Sequence, residues 1–146
     1  ARAEMLLASA LAGWAFDQSG LGIVHALAGP LTGRYGLHHG LTIGLLLPHG
    51  LAYNLPALGE KRARLLHALD LPRDAADAEV VAGVKAWLAG LGLPTALREV
   101  RGVDITQITE ADLAAWGAAA AAMSMLPNNP RPASAVDCTK ILEDVL

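Results

Sequence analysis

Aromatic residues are scarce in this chain. Three Trp, two Tyr and one Phe amount to 4% of its 146 residues, although hydrophobic residues reach 53%. Alanine, leucine and glycine supply most of that apolar mass, a balance that favours closely packed helices over sheets. No segment reads as a strand and no repeat is visible. The single cysteine, Cys138, cannot form an internal disulfide, which fits a reducing, cytoplasmic setting. The 11 Lys and Arg residues form no block and the net charge is -3, so there is no electrostatic footprint for nucleic acid. No glycine-rich phosphate loop follows a strand, so the usual nucleotide fingerprint is missing. Ala1 to Met5 carries a charge pair and no cleavage-site arrangement, which is not the pattern of a signal peptide. It also lacks an initiator methionine, so the chain is expected to begin inside something longer.

From Tyr35 to Gly59 there is no Asp, Glu, Lys or Arg. A stretch of that length could cross a membrane. It also holds His38, His39, His49, Asn54, Pro48, Pro56 and several glycines, and imidazoles and helix breakers are costly in lipid. A buried core segment is the better reading, and no membrane partner is expected.

The pattern along the chain predicts a succession of helices. Ala3 to Phe16 places Leu6, Leu7, Ala10, Leu11 and Trp14 on a wide apolar face. Leu21 to Leu31 is apolar all round, with a kink or end expected at Gly29-Pro30 and Gly33. Tyr35-Gly36-Leu37 signals a turn. His39 to Tyr53 follows, stopped or bent near Pro48-His49-Gly50, and then an amphipathic helix from Ala57 to Leu69. Asp74 to Leu91 is next, closed by Gly90, Gly92 and Pro94. Thr95 to Val100 is a short turn. Thr109 with Asp112 resembles a capping box for a helix running to about Met125. Pro127 to Pro132 is a rigid connector, and Ser134 caps a last helix ending at Leu146. The expected architecture is all-α: one domain, residues 1–146, a multi-helix bundle of about seven or eight helices.

Four of the five histidines, His25, His38, His39 and His49, lie in the first third, its most apolar stretch. A single buried histidine is more often a satisfied core residue than a ligand. Four together in an apolar region favour neutral rings, because burial disfavours the charged form, and neutral imidazole binds metals. His25 and His39 are 14 positions apart, about 21 Å along one continuous helix. Two ligands of one ion need their nitrogens within about 4 Å of each other. The chain must therefore fold back between them, and Gly29-Pro30, Gly33 and Gly36 are the residues available for it.

The run Gly20-Leu21-Gly22-Ile23-Val24-His25-Ala26-Leu27-Ala28-Gly29-Pro30-Leu31, then His38-His39-Gly40, then Leu47-Pro48-His49, resembles the signature of the iron-containing alcohol dehydrogenase family. Its superfamily includes dehydroquinate synthase and glycerol dehydrogenase. The likeness continues over Met5 to Phe16, Leu91 to Thr95 and Asn129-Pro130-Arg131-Pro132, and so covers most of the chain. The resemblance implies that His25 and His39 ligate the catalytic metal, with His39 preferred to His38 because Gly40 keeps the register. It implies a structural hydrogen-bonding role for His49, while the amphipathic pattern around His67 places that residue at the surface or boundary. Where many members have a further histidine four residues after the first ligand, this chain has Gly29, which suggests a roomier pocket. The family's remaining ligands, an aspartate and a histidine four residues later, are absent, as is a nucleotide-binding domain.

The resemblance thus implies the helical metal-binding domain of an NAD(P)-dependent alcohol dehydrogenase or aldehyde reductase. The expected cofactors are Fe²⁺ or Zn²⁺, with NAD or NADP bound mainly by a missing N-terminal domain. The expected partners are a small alcohol or aldehyde, the missing upstream part of the enzyme and further copies in a homo-oligomer. The alternative is a truncated or decayed helical module of the same fold that has lost its chemistry.

Overall fold

The computed structural model describes residues 1–146, and seven α-helices account for most of it: α1 (Arg2–Ser19), α2 (Ile23–Tyr35), α3 (His39–Asn54), α4 (Lys61–Ala68), α5 (Asp77–Gly90), α6 (Glu110–Ala121) and α7 (Ala135–Asp144). Four short 3₁₀ turns lie between them and there is no strand. The all-α expectation holds. No helix is long and apolar enough to cross a membrane.

Two helices run further than their prolines suggest. α2 continues through Pro30 to Tyr35, and α3 continues through Pro48 to Asn54. A proline inside a helix costs about 3 kcal/mol or more. Leu27 and Leu31 flank Pro30, Leu45 and Leu46 precede Pro48, and all four leucines are fully buried. Each is worth about 1.5–3 kcal/mol on burial, so packing outweighs the breaker at both places. The chain turns instead at Gly36. That residue has φ 61° and ψ 26° and its N–H donates to the Thr32 carbonyl at 2.9 Å. A side chain is disfavoured in that left-handed conformation, so glycine ends the helix there. Of the glycines expected to reverse the chain, Gly29 and Gly33 lie within α2.

Other boundaries shift by smaller amounts. The helix expected from Ala57 to Leu69 is divided: Leu55–Ala57 is a 3₁₀ turn, Gly59 has φ 51°, and α4 starts at Lys61. α6 stops at Ala121, short of Met125. The two predicted caps form. Thr109 Oγ1 accepts from the Asp112 N–H at 3.1 Å, and Ser134 Oγ accepts from the Asp137 N–H at 3.2 Å.

The main core gathers Ile23, Leu27 and Leu31 of α2, Leu45 and Leu46 of α3, Leu113 and Ala120 of α6, and Cys138, Ile141 and Leu142 of α7. α6 and α7 approach most closely at Gly117, where an added Cβ would stand 2.8 Å from the Ala135 carbonyl oxygen and 2.9 Å from the Thr139 nitrogen. A smaller cluster of Leu55, Leu66, Ala75 and Val80 joins the α3 end to α4 and α5. α1 buries none of its residues. The apolar face expected there, including Leu6, Leu7, Leu11 and Trp14, is exposed.

Candidate metal centre

α2 carries His25 in its first turn and α3 begins at His39. The connector Gly36-Leu37-His38 folds the chain back so that the two rings meet, with centroids 5.5 Å apart and planes inclined at 53°. An ion bound at about 2.0–2.1 Å by each ring nitrogen lies about 3.2 Å from each centroid, so near-tetrahedral geometry places the centroids about 5 Å apart. The observed separation fits one shared ion. Burial lowers the pKa of His25, and the neighbouring His39 lowers it further. Both effects favour the neutral ring, the form that offers a lone pair to a metal.

The donor set is incomplete. No group of three or more His, Cys, Asp or Glu side chains converges anywhere in the chain. Two imidazoles supply half of a four-coordinate shell, while a catalytic zinc site takes three protein ligands and an open position. The residues present fit a divalent ion as one side of its shell.

The other histidines stand apart from this pair. His38 is the exposed residue just before α3. His67 is exposed on α4, as its amphipathic pattern predicts. His49 is buried in α3, but its Nε2 has no hydrogen-bond partner, so the expected bonding role fails at that atom. Burial lowers the His49 pKa and Lys85 lowers it further, while a backbone contact with Thr95 and the Asp144 carboxylate oppose the shift.

Gly29 follows His25 by four residues and therefore shares its helix face. The space beyond it is not the roomier pocket expected from a missing side chain. An added Cβ would stand 2.7 Å from the Met123 methyl carbon. A flexible thioether from Met123, just beyond α6, fills that volume.

Asn129 has a larger part than its place in a proline-rich connector suggests. It is buried, and its Oδ1 accepts the Ile23 N–H at 3.1 Å and the Asn54 Nδ2 at 3.0 Å. Its Nδ2 donates to Asn54 Oδ1 at 2.7 Å and to the Arg131 carbonyl at 2.6 Å. The signals for it in the sequence are its place in the Asn129-Pro130-Arg131-Pro132 run of the family likeness and Gly22, an α2 N-cap that has no side chain to cap with.

The crossing of these helices brings two histidines from separate helices together in an all-α unit. Over residues 1–146 the chain matches the Fe-containing alcohol dehydrogenase family, C-terminal, and it belongs to that family. Among its relatives, it is 36% identical to 1-propanol dehydrogenase PduQ of Salmonella typhimurium, over 99% of this chain and 40% of that protein. It is 37% identical to 4-hydroxybutyrate dehydrogenase of Cupriavidus necator, over 98% of this chain and 37% of that protein. Among solved structures, the alcohol dehydrogenase from Oenococcus oeni superposes with a TM-score of 0.76 at 30% identity, over 93% of this chain and 35% of that one. The chain thus spans two fifths or less of the length of these relatives.

Proposed function

We propose that this chain is the metal-holding helical part of an NAD(P)-dependent alcohol dehydrogenase or aldehyde reductase, with His25 and His39 as two ligands of one divalent ion. The observation that carries the reading is the 5.5 Å separation of the two rings across an interval of 14 residues. Held by His25 and His39, a divalent ion would supply Lewis acidity toward a substrate oxygen, and a nicotinamide would supply the hydride chemistry. His25 and His39 would offer one ring nitrogen each from two packed helices whose rings lie 5.5 Å apart. Met123 and the leucines of α2 and α3 keep the adjoining volume apolar and limit water.

Residues 1–146 form one helical unit, completed by an upstream region bearing an Asp-x-x-x-His pair and a nucleotide-binding domain. Support comes from the half-shell of ligands and from the share of the relatives' length that the chain spans. The substrate is a short alcohol or its aldehyde, in line with the propanol, hydroxybutyrate and lactaldehyde named for relatives. A cytoplasmic location and a homo-oligomeric assembly belong to the same proposal. Cys138, buried and unpaired, accords with the first. The exposed apolar face of α1 accords with the second.

The test uses the full-length gene product, loaded with Fe²⁺ or Zn²⁺ and assayed with NADH and with NADPH on three- and four-carbon aldehydes. Metal-dependent oxidation of either cofactor is expected, with loss of turnover in His25→Ala and His39→Ala. A full-length product that binds metal at neither ring and turns over nothing would establish the rival reading, a helical module without chemistry. The incomplete donor set is the observation behind that rival.

A further inference from the structure

The first turn of a helix leaves backbone N–H groups without intrahelical acceptors. At α2 the N-cap is Gly22, which offers no side chain. The acceptor comes instead from 106 residues downstream, where Asn129 Oδ1 takes the Ile23 N–H. Ile23 is two residues from His25. The same amide forms the reciprocal pair with Asn54, the last residue of α3, and α3 starts with His39. One side chain therefore grips both helices that present the two imidazoles.

The grip is closely fitted. Asn129 spends both acceptor positions of Oδ1 and both N–H groups of Nδ2, so its side-chain bonding capacity is full. A second fastening lies beside it. Arg131 Nη1 donates to the Tyr53 carbonyl at 3.1 Å, its guanidinium lies 4.2 Å from the Tyr53 ring centre, and the Tyr53 hydroxyl donates to the Pro132 carbonyl at 2.6 Å. Access for the amide depends on Gly22, because a Cβ there would stand 2.8 Å from Asn129 Oδ1. The helices meet next to it at Gly50, where a Cβ would stand 2.5 Å from Val24 Cγ2 and 3.3 Å from Ile23 Cγ2.

We propose that Asn129, held by Asn54, is a positioning residue of the metal centre: it sets where α2 begins and so where His25 stands relative to His39. The proposal rests on the reading of those histidines as ligands. A coordinating nitrogen must be placed within about 0.5 Å, and partners outside the ligand shell commonly change affinity by about 10–100-fold. A loose first turn in α2 moves His25 directly and leaves the rest of the core in place.

The experiment measures Zn²⁺ affinity by chelator competition, and the visible spectrum of the Co²⁺ form, on the full-length protein. Asn129→Ala is compared with Val80→Ala, a truncation in the smaller cluster that controls for general loss of stability. Asn129→Ala is expected to weaken Zn²⁺ binding by about tenfold and to alter the Co²⁺ spectrum. Val80→Ala lowers the melting temperature and leaves both readouts at wild-type values. Should Asn129→Ala fail to fold, Gly22→Ala, which crowds the amide without removing it, replaces it with the same expectation. Wild-type affinity and spectrum in the Asn129 or Gly22 variant, or losses no larger than those of Val80→Ala, would overturn the positioning role while leaving the ligand assignment standing. A wild-type protein that binds no metal would overturn both.

Discussion

His25 and His39 see different amounts of water: His25 is half-buried on α2, and His39 is exposed at the start of α3. Their proposed roles as ligands are equal all the same, and removal of either costs a full donor. His25→Ala is expected to reduce metal affinity more than any outer-shell change, by over about 100-fold, whereas His38→Ala leaves it unaltered; equilibrium titration of the full-length protein checks both. His49 supplies a separate test through stability. Its folded-state pKa lies below the ordinary 6.5, so beneath that pH the unfolded chain binds more protons than the folded one. Stability is therefore intact above about pH 6.5 and falls as the pH drops below it. His49→Leu removes the buried, unpaired Nε2 and is expected to flatten that fall, as read from melting temperatures over about pH 7.5 to 5. The meeting of His25 and His39 was legible in the sequence because the resemblance singles out both positions and a shared site for them demands a fold-back. The Asn129–Asn54 pair was not, because its partners lie 75 residues apart and neither asparagine marks a helix by pattern.

The helices themselves were legible from apolar periodicity and caps, and the continuity of α2 and α3 was not. Pro30 and Pro48 read as breaks because local chemistry disfavours proline within a helix. The packing of the surrounding leucines outweighs that local preference, and sequence order does not say which of them are buried on every side. Close approaches were equally hidden. Gly117 sits in an alanine-rich helix that would form as well with alanine there, yet its lack of a Cβ is what lets α7 lie against α6. Backbone atoms, which cannot swing aside, line that contact. Gly117→Ala is expected to destabilise the protein by about 1–3 kcal/mol despite alanine's better helix propensity; a downward shift of the denaturation midpoint checks it. Gly29→Ala is expected to be tolerated, since the obstructing atom is the mobile end of Met123.

Across the whole molecule, the core holds α2 and α3 against α6 and α7, and the proposed metal centre has two donors from residues 1–146 and no third. α1 exposes Leu6, Leu7, Leu11 and Trp14, and His25 and His39 meet without a third donor. The measurement that tests the central claim most directly is anomalous diffraction at the metal edge from crystals of the full-length protein. The predicted result is a single ion per chain within about 2.2 Å of a ring nitrogen of both His25 and His39. An ion bound elsewhere, or bound by only one of the two rings, would contradict it.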